Sequence, residues 1–145
     1  MFDPVRWLIL NATLQFLVSS ILGVLLLLPM QTWGKGLTRF VANVPDMRAT
    51  HLDWLMLGLM QYGIAFGLSH MPLIDAPLIA GLLIFGGWMN AFPYLARGLW
   101  GINAFQLSGP PKQFFCALLG LISVCALITA FSLLFIGWLL PRPGT

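Results

Sequence analysis

The sequence predicts an all-α integral membrane protein, a four-transmembrane-helix antiparallel bundle, from three observations. Of its 145 residues, 59% are hydrophobic and 8% charged, whereas a soluble domain carries about 25% charged residues. Four apolar stretches each supply the roughly 20 helical residues needed to cross a hydrocarbon core about 30 Å thick. The few charged residues stand near the ends of those stretches. The spans are expected near 7–29, 51–70, 76–100 and 114–140, within one membrane domain covering 1–145.

The first stretch is too long for a signal-peptide core and lacks a small-x-small cleavage site before Pro29, so it reads as retained. Asn11, Gln15, Ser19 and Gly23 recur along it at intervals of four, a small and polar seam suited to helix packing. The second helix is expected to start around Pro45 or Thr50, where Thr50-His51-Leu52-Asp53 fits a capping box. In the third, Gly86, Asn90, Tyr94, Arg97 and Gly101 share one face, and Pro93 is placed to kink it. The fourth offers only Gly120, Ser123, Cys125, Thr129 and Ser132, small or weakly polar, and reads as scaffold. Cys116 and Cys125 are nine apart, form no CxxC, and read as packing residues.

The basic residues follow topology. Arg6 and Arg142 share the side of the termini, whereas Lys35, Arg39, Arg48, Arg97 and Lys112 share the other. The positive-inside bias makes the 30–50 and 101–113 connections cytoplasmic and the termini external, in what is expected to be a bacterial inner (plasma) membrane. Scattered at helix ends, these charges form no nucleic-acid-binding patch.

Antiparallel topology should bring Asn90, Tyr94 and Arg97 level with His51, Asp53 and Trp54 on the inner side. Ionisable groups at membrane depth are functional candidates. Each also has a plainer reading. His51 could be an interfacial residue at a helix start, Asp53 a carboxylate complementing the helix dipole, and Tyr94, with Trp7, Trp33, Trp54, Trp88, Trp100 and Trp138, part of the aromatic belts. The absence of HExxH, P-loop and nucleophile-elbow motifs disfavours zinc enzymes, phosphoryl transfer and hydrolases. No carboxylate sits mid-span, which leaves a proton-coupled transporter unsupported. His51 and His70 stand roughly 28 Å apart on one helix, at 1.5 Å per residue. They cannot ligate one iron within a chain, which leaves a single proximal histidine with an open sixth position.

Arg48-Ala49-Thr50-His51 at the second helix, followed by Gly87-Trp88-Met89-Asn90-Ala91-Phe92-Pro93-Tyr94 in the third, resembles the styrene oxide isomerase family, relatives of the hydroxylaminobenzene mutases. The isomerase pattern, Asp-Gly-Trp-x-Asn-x-x-x-Tyr, is matched at Gly87, Trp88, Asn90 and Tyr94. The chain departs from the family at Leu57, where an asparagine is usual, and at Gly86, where the isomerases have aspartate. The resemblance implies a homotrimer in the lipid bilayer, with haem b between subunits and His51 as the ligand of the ferric haem iron. It implies isomerisation of a small apolar, aryl epoxide to an aldehyde by Lewis-acid ring opening and a 1,2-shift (Meinwald rearrangement). Tyr94 and Asn90 would then be catalytic, Arg97 a partner for a haem propionate, and Trp54, Leu57 and Trp88 the substrate pocket. Two alternatives stand beside it: a mutase rearranging an arylhydroxylamine, and a non-catalytic small membrane protein with a haem-binding, assembly or transport role.

Overall fold

Helix starts in this chain are written by short polar and proline signals. Asp3 accepts from the backbone N–H groups of Val5 and Arg6 at 3.0 and 3.2 Å, and Pro4 occupies the first helical position, where its missing N–H costs nothing. Asn43 caps the second helix by accepting from Asp46 N at 3.4 Å, with Pro45 in the first turn. The computed structural model describes residues 3–31, 41–73 and 75–140. They form α1 (Pro4–Leu27), a single 3-10 turn (Leu28–Met30), α2 (Val44–His70), α3 (Ala76–Met89), α4 (Phe92–Trp100) and α5 (Pro111–Leu139). The basic residues Lys35, Arg39 and Arg142 and the belt candidate Trp33 lie outside the described residues.

All the regular elements among the described residues are helices, and α3 and α4 together make one 25-residue stretch, Ala76–Trp100, so the fold has four helices. Three of them, α1, α3–α4 and α5, are long and apolar enough to cross a membrane. α1 pairs with α2, α3 packs on α5, and α2 also meets α4. An apolar core of Leu8, Ile64, Leu68, Ile79, Leu83 and Leu134 joins α1, α2, α3 and α5.

The burial pattern is inverted relative to a soluble protein. Leu17, Val24, Met56, Phe66, Ile128 and Phe135 are each more than half exposed, whereas Asn11, Gln15, Ser19, Asp46, Thr50, Gln61 and Ser123 are buried. Lipid tolerates the first set, while polar groups at membrane depth turn toward protein partners.

One sequence expectation is corrected here. Of the two starts expected for α2, the one around Pro45 is observed: the helix begins at Val44, so Thr50 and Asp53 lie about two turns inside it and form no capping box. Thr50 Oγ1 instead donates to Asp46 O at 3.0 Å. The Asn43-Val44-Pro45-Asp46 start prevails because it combines a side-chain cap, an early proline and an acid in the first turn. Pro93 interrupts the third stretch, as expected: helical hydrogen bonding stops at Met89 and resumes at Phe92, because proline has no N–H for the Met89 carbonyl. Gly101 closes α4 in the left-handed region at φ 65°, where a side chain would be strained.

Candidate functional site

His51 lies on the flank of α2 that faces α1. Its Nδ1 is 2.8 Å from Ser19 O and 2.8 Å from Ser19 Oγ, while Ser19 Oγ donates to His51 O at 2.7 Å. These contacts fix the tautomer. The single Ser19 hydroxyl proton is committed to the His51 carbonyl, and Ser19 O can only accept, so Nδ1 carries the proton. Nε2 has no hydrogen-bond partner among the described residues and, in the neutral ring, is the nitrogen that carries the lone pair. Gly23 makes the notch for the ring, since a methyl group there would come within 2.9 Å of His51 Cε1. Ser19 and Gly23 therefore serve His51 directly, beyond the packing role expected from their spacing.

Positions 51 and 53 are about 200° apart around a helix of 3.6 residues per turn. Asp53 accordingly leaves His51 and faces the break between α3 and α4, where Asn90 Nδ2 donates to Asp53 Oδ2 at 2.8 Å. Tyr94, one turn on, packs edge-to-face on Phe105 with ring centroids 4.8 Å apart. Asn90 and Tyr94 border a cavity of about 350 Å³ walled by Pro93, Phe105, Leu121 and Val124 among others. Neither Asn90 Oδ1 nor the Tyr94 hydroxyl has a hydrogen-bond partner among the described residues.

Arg97 faces Asp46 across α4 and α2. Its Nε lies 3.2 Å from Asp46 Oδ2, an ion contact without hydrogen-bond alignment, and its guanidinium stands 5.3 Å from the centroid of the Phe105 ring. With Asn43, Gly101, Ile102 and Asn103 it borders a second cavity of about 300 Å³.

The expected pocket residues take a third position. Trp54 and Leu57 are buried, and Trp54 meets Trp88 edge-to-face at 5.3 Å. Trp54 Nε1 reaches the Trp88 carbonyl at 3.5 Å, beside the helix break. Trp88 Nε1 donates to Asn11 Oδ1 at 2.8 Å, Asn11 Nδ2 to Gln61 Oε1 at 2.7 Å, and Gln61 Nε2 to Gln15 Oε1 at 3.1 Å and Leu83 O at 3.2 Å. Gln15 Nε2 is buried without a partner among the described residues. Gly87 is what lets this network close, because a methyl group there would lie 2.5 Å from Gln61 Nε2 and 2.7 Å from Gln15 Nε2. The Gly-Trp pair of the third-stretch pattern thus supports a buried polar chain between helices.

One chain therefore brings Asn90 together with Asp53 and Tyr94, and Arg97 with Asp46, but it does not bring His51 to any of them. Sequence reasoning passed over Gln61, a single polar residue inside an apolar run, and Asp46, which lies ahead of the 51–70 span expected for the second helix. Among the described residues no three His, Cys, Asp or Glu side chains converge as a metal-ligand group, and Cys116 and Cys125 are free. His70 is exposed at the far end of α2, hydrogen-bonded to Ser69 and Phe66. Comparison of the chain with protein-family models, with curated proteins and with solved structures finds no match.

Proposed function

We propose that this chain is a four-span membrane protein that holds haem b through His51 and isomerises a small apolar epoxide to an aldehyde. The observation that carries the proposal is the His51 environment. Histidines that ligate metals commonly donate the other ring N–H to a carbonyl, which fixes the ring and raises its basicity. His51 has this arrangement, with Nδ1 against Ser19 and Nε2 without a partner among the described residues. Haem iron with an open coordination position supplies a Lewis acid for an oxygen-bearing substrate.

The chain's own residues supply the rest. Tyr94 OH is a donor for the substrate oxygen as its C–O bond opens, and preorganised donors are most effective where such charge develops. The apolar walls around Asn90 and Tyr94 exclude the water that would turn an opening epoxide into a diol. His51 faces α1 while Tyr94 sits on α4 beyond the opposite flank of α2, so a site using both needs two copies of the chain; a homotrimer with haem between subunits is what the resemblance implies. Leu52, Met56, Leu59 and Phe66 give the outer face of α2 an exposed apolar stripe, which supports α2 as the fourth span. The termini are placed outside, with the 30–50 and 101–113 connections in the cytoplasm. Arg97, in ion contact with Asp46, would be the residue to pair with a haem propionate.

A second reading is favoured by the Asn90 amide. Asp53 holds its NH₂ group, leaving the amide oxygen for a substrate that can donate, as an arylhydroxylamine can and an epoxide cannot. Absorption spectra of the purified protein, ferric and dithionite-reduced, beside a His51→Ala variant test the shared premise. A Soret band that vanishes or shifts in the variant is expected, after which product analysis with an aryl epoxide and an arylhydroxylamine separates the two reactions. A flat spectrum after expression with haem supplied would remove the iron chemistry and leave a non-catalytic membrane protein.

A further inference from the structure

The cavity beside Asn90 and Tyr94 has an unusual balance of polar groups. Nearly all its walls are apolar, including Pro93, Phe105, Leu121 and Val124. Its two polar contributors are chemically distinct. Tyr94 brings a hydroxyl. Asn90 brings an amide that could present either its NH₂ group or its oxygen, and Asp53 decides between them: the carboxylate oxygen 2.8 Å away takes Nδ2. The NH₂ group is thereby committed to Asp53, and Oδ1 is left as the amide atom without a partner among the described residues. We infer that Asp53 is a positioning residue that sets the hydrogen-bond polarity of this cavity. Among ring-sized apolar molecules the site so made favours one bearing a hydroxyl or N–H donor, the class to which the arylhydroxylamine of the second reading belongs and the epoxide of the first does not. The cavity, at about 350 Å³, matches the lower range of small-molecule sites. Because the other walls are nearly all apolar, an unmatched donor or acceptor inside the cavity finds few polar partners, so this polarity discriminates between ligands. The inference rests on the reading of Asn90 and Tyr94 as substrate-facing; it does not rest on haem.

The test is a fluorine NMR titration of the full-length protein with para-trifluoromethylphenol and with its methyl ether. The two probes share ring and shape, but only the phenol donates. A Leu121→Trp variant, whose indole would fill the cavity mouth from an exposed position, measures the signal due to partition into detergent alone. The native protein is expected to prefer the phenol by about tenfold, the equivalent of one hydrogen bond of about 1.4 kcal/mol. In Asp53→Leu the Asn90 amide is free to turn, and the preference should fall below about threefold while ether binding stays within about twofold. If Asp53→Leu fails to fold, Asn90→Leu must show the same loss. Equal binding of both probes to the native protein, an undiminished preference in Asp53→Leu, or binding unaffected by Leu121→Trp would each overturn the inference. The same titration on His51→Ala separates the two proposals. A preference kept there belongs to the cavity whether or not haem is bound, whereas its loss would show that the phenol reports on iron and would overturn the inference.

Discussion

Replacing Gly87 by alanine tests the buried polar network with one methyl group. The added Cβ would lie 2.5 Å from Gln61 Nε2 and 2.7 Å from Gln15 Nε2. To reach ordinary van der Waals contact at 3.4 Å, the Gln61 amide must retreat by about 0.9 Å. It cannot do so and keep both of its bonds, at 3.1 Å to Gln15 and 3.2 Å to Leu83. Buried groups left unpaired cost about 1–3 kcal/mol each in soluble proteins, and interhelical hydrogen bonds in membranes average about 0.6 kcal/mol. The loss of one or two bonds is thus about 1–3 kcal/mol. Alanine also stabilises a helix by about 1 kcal/mol over glycine, which must be removed from the comparison. Gly81→Ala, in the same helix and with nothing within 4 Å of its added Cβ, provides the control. Reversible unfolding in mixed micelles, followed by helicity as denaturing detergent is added, should place Gly87→Ala about 1–3 kcal/mol below Gly81→Ala. Equal stability of the two variants would refute the argument that Gly87 is required by the network.

Ser19→Ala removes one of the two acceptors that fix His51 Nδ1, and haemin titration followed at the Soret band should show affinity lowered about tenfold or more, with unchanged helicity. Gly23→Ala should act on the same ring by crowding, since its methyl would lie 2.9 Å from Cε1; the signature is a displaced Soret maximum in a protein that remains folded. Arg97→Gln and Asp46→Asn should each destabilise the protein, the double variant being less destabilised than the sum, because either single change leaves a half-buried or buried charge unmatched. Full haem retention in Arg97→Gln would argue against its placement beside a propionate.

The helical class and three of the apolar spans were legible because they depend on composition and run length alone. The beginning of α2 was not: the Asn43-Val44-Pro45-Asp46 signal stood in plain view, but a plausible Thr50–Asp53 box competed with it. The seam of Asn11, Gln15, Ser19 and Gly23 was visible by its spacing. Its partners were not, because which way α1 is rotated against α2 depends on the whole interface. The separation of His51 from Asp53 could have been read from the helical period, since two residues two apart cannot share a face. Being level along the bundle axis does not make residues adjacent. The cavity beside Tyr94 was beyond sequence reasoning, since its walls come from α4, α5 and the 104–107 segment together.

The break at Asn90–Ala91 gives α4 an anchorage of its own as well as interrupting the hydrogen bonding. Below it, α4 is tied to the beginning of α2 by the N–H groups of Ala42 and Asn43, which donate to Gly98 O at 2.8 and 3.0 Å, and by the contact between Arg97 and Asp46. Above it, α3 is seated against α5. α4 also packs on α5, with Ala96 clustered against Cys116 and Pro93 seated at Gly120, so Tyr94 is clamped between the start of α2 and the helix that walls its cavity.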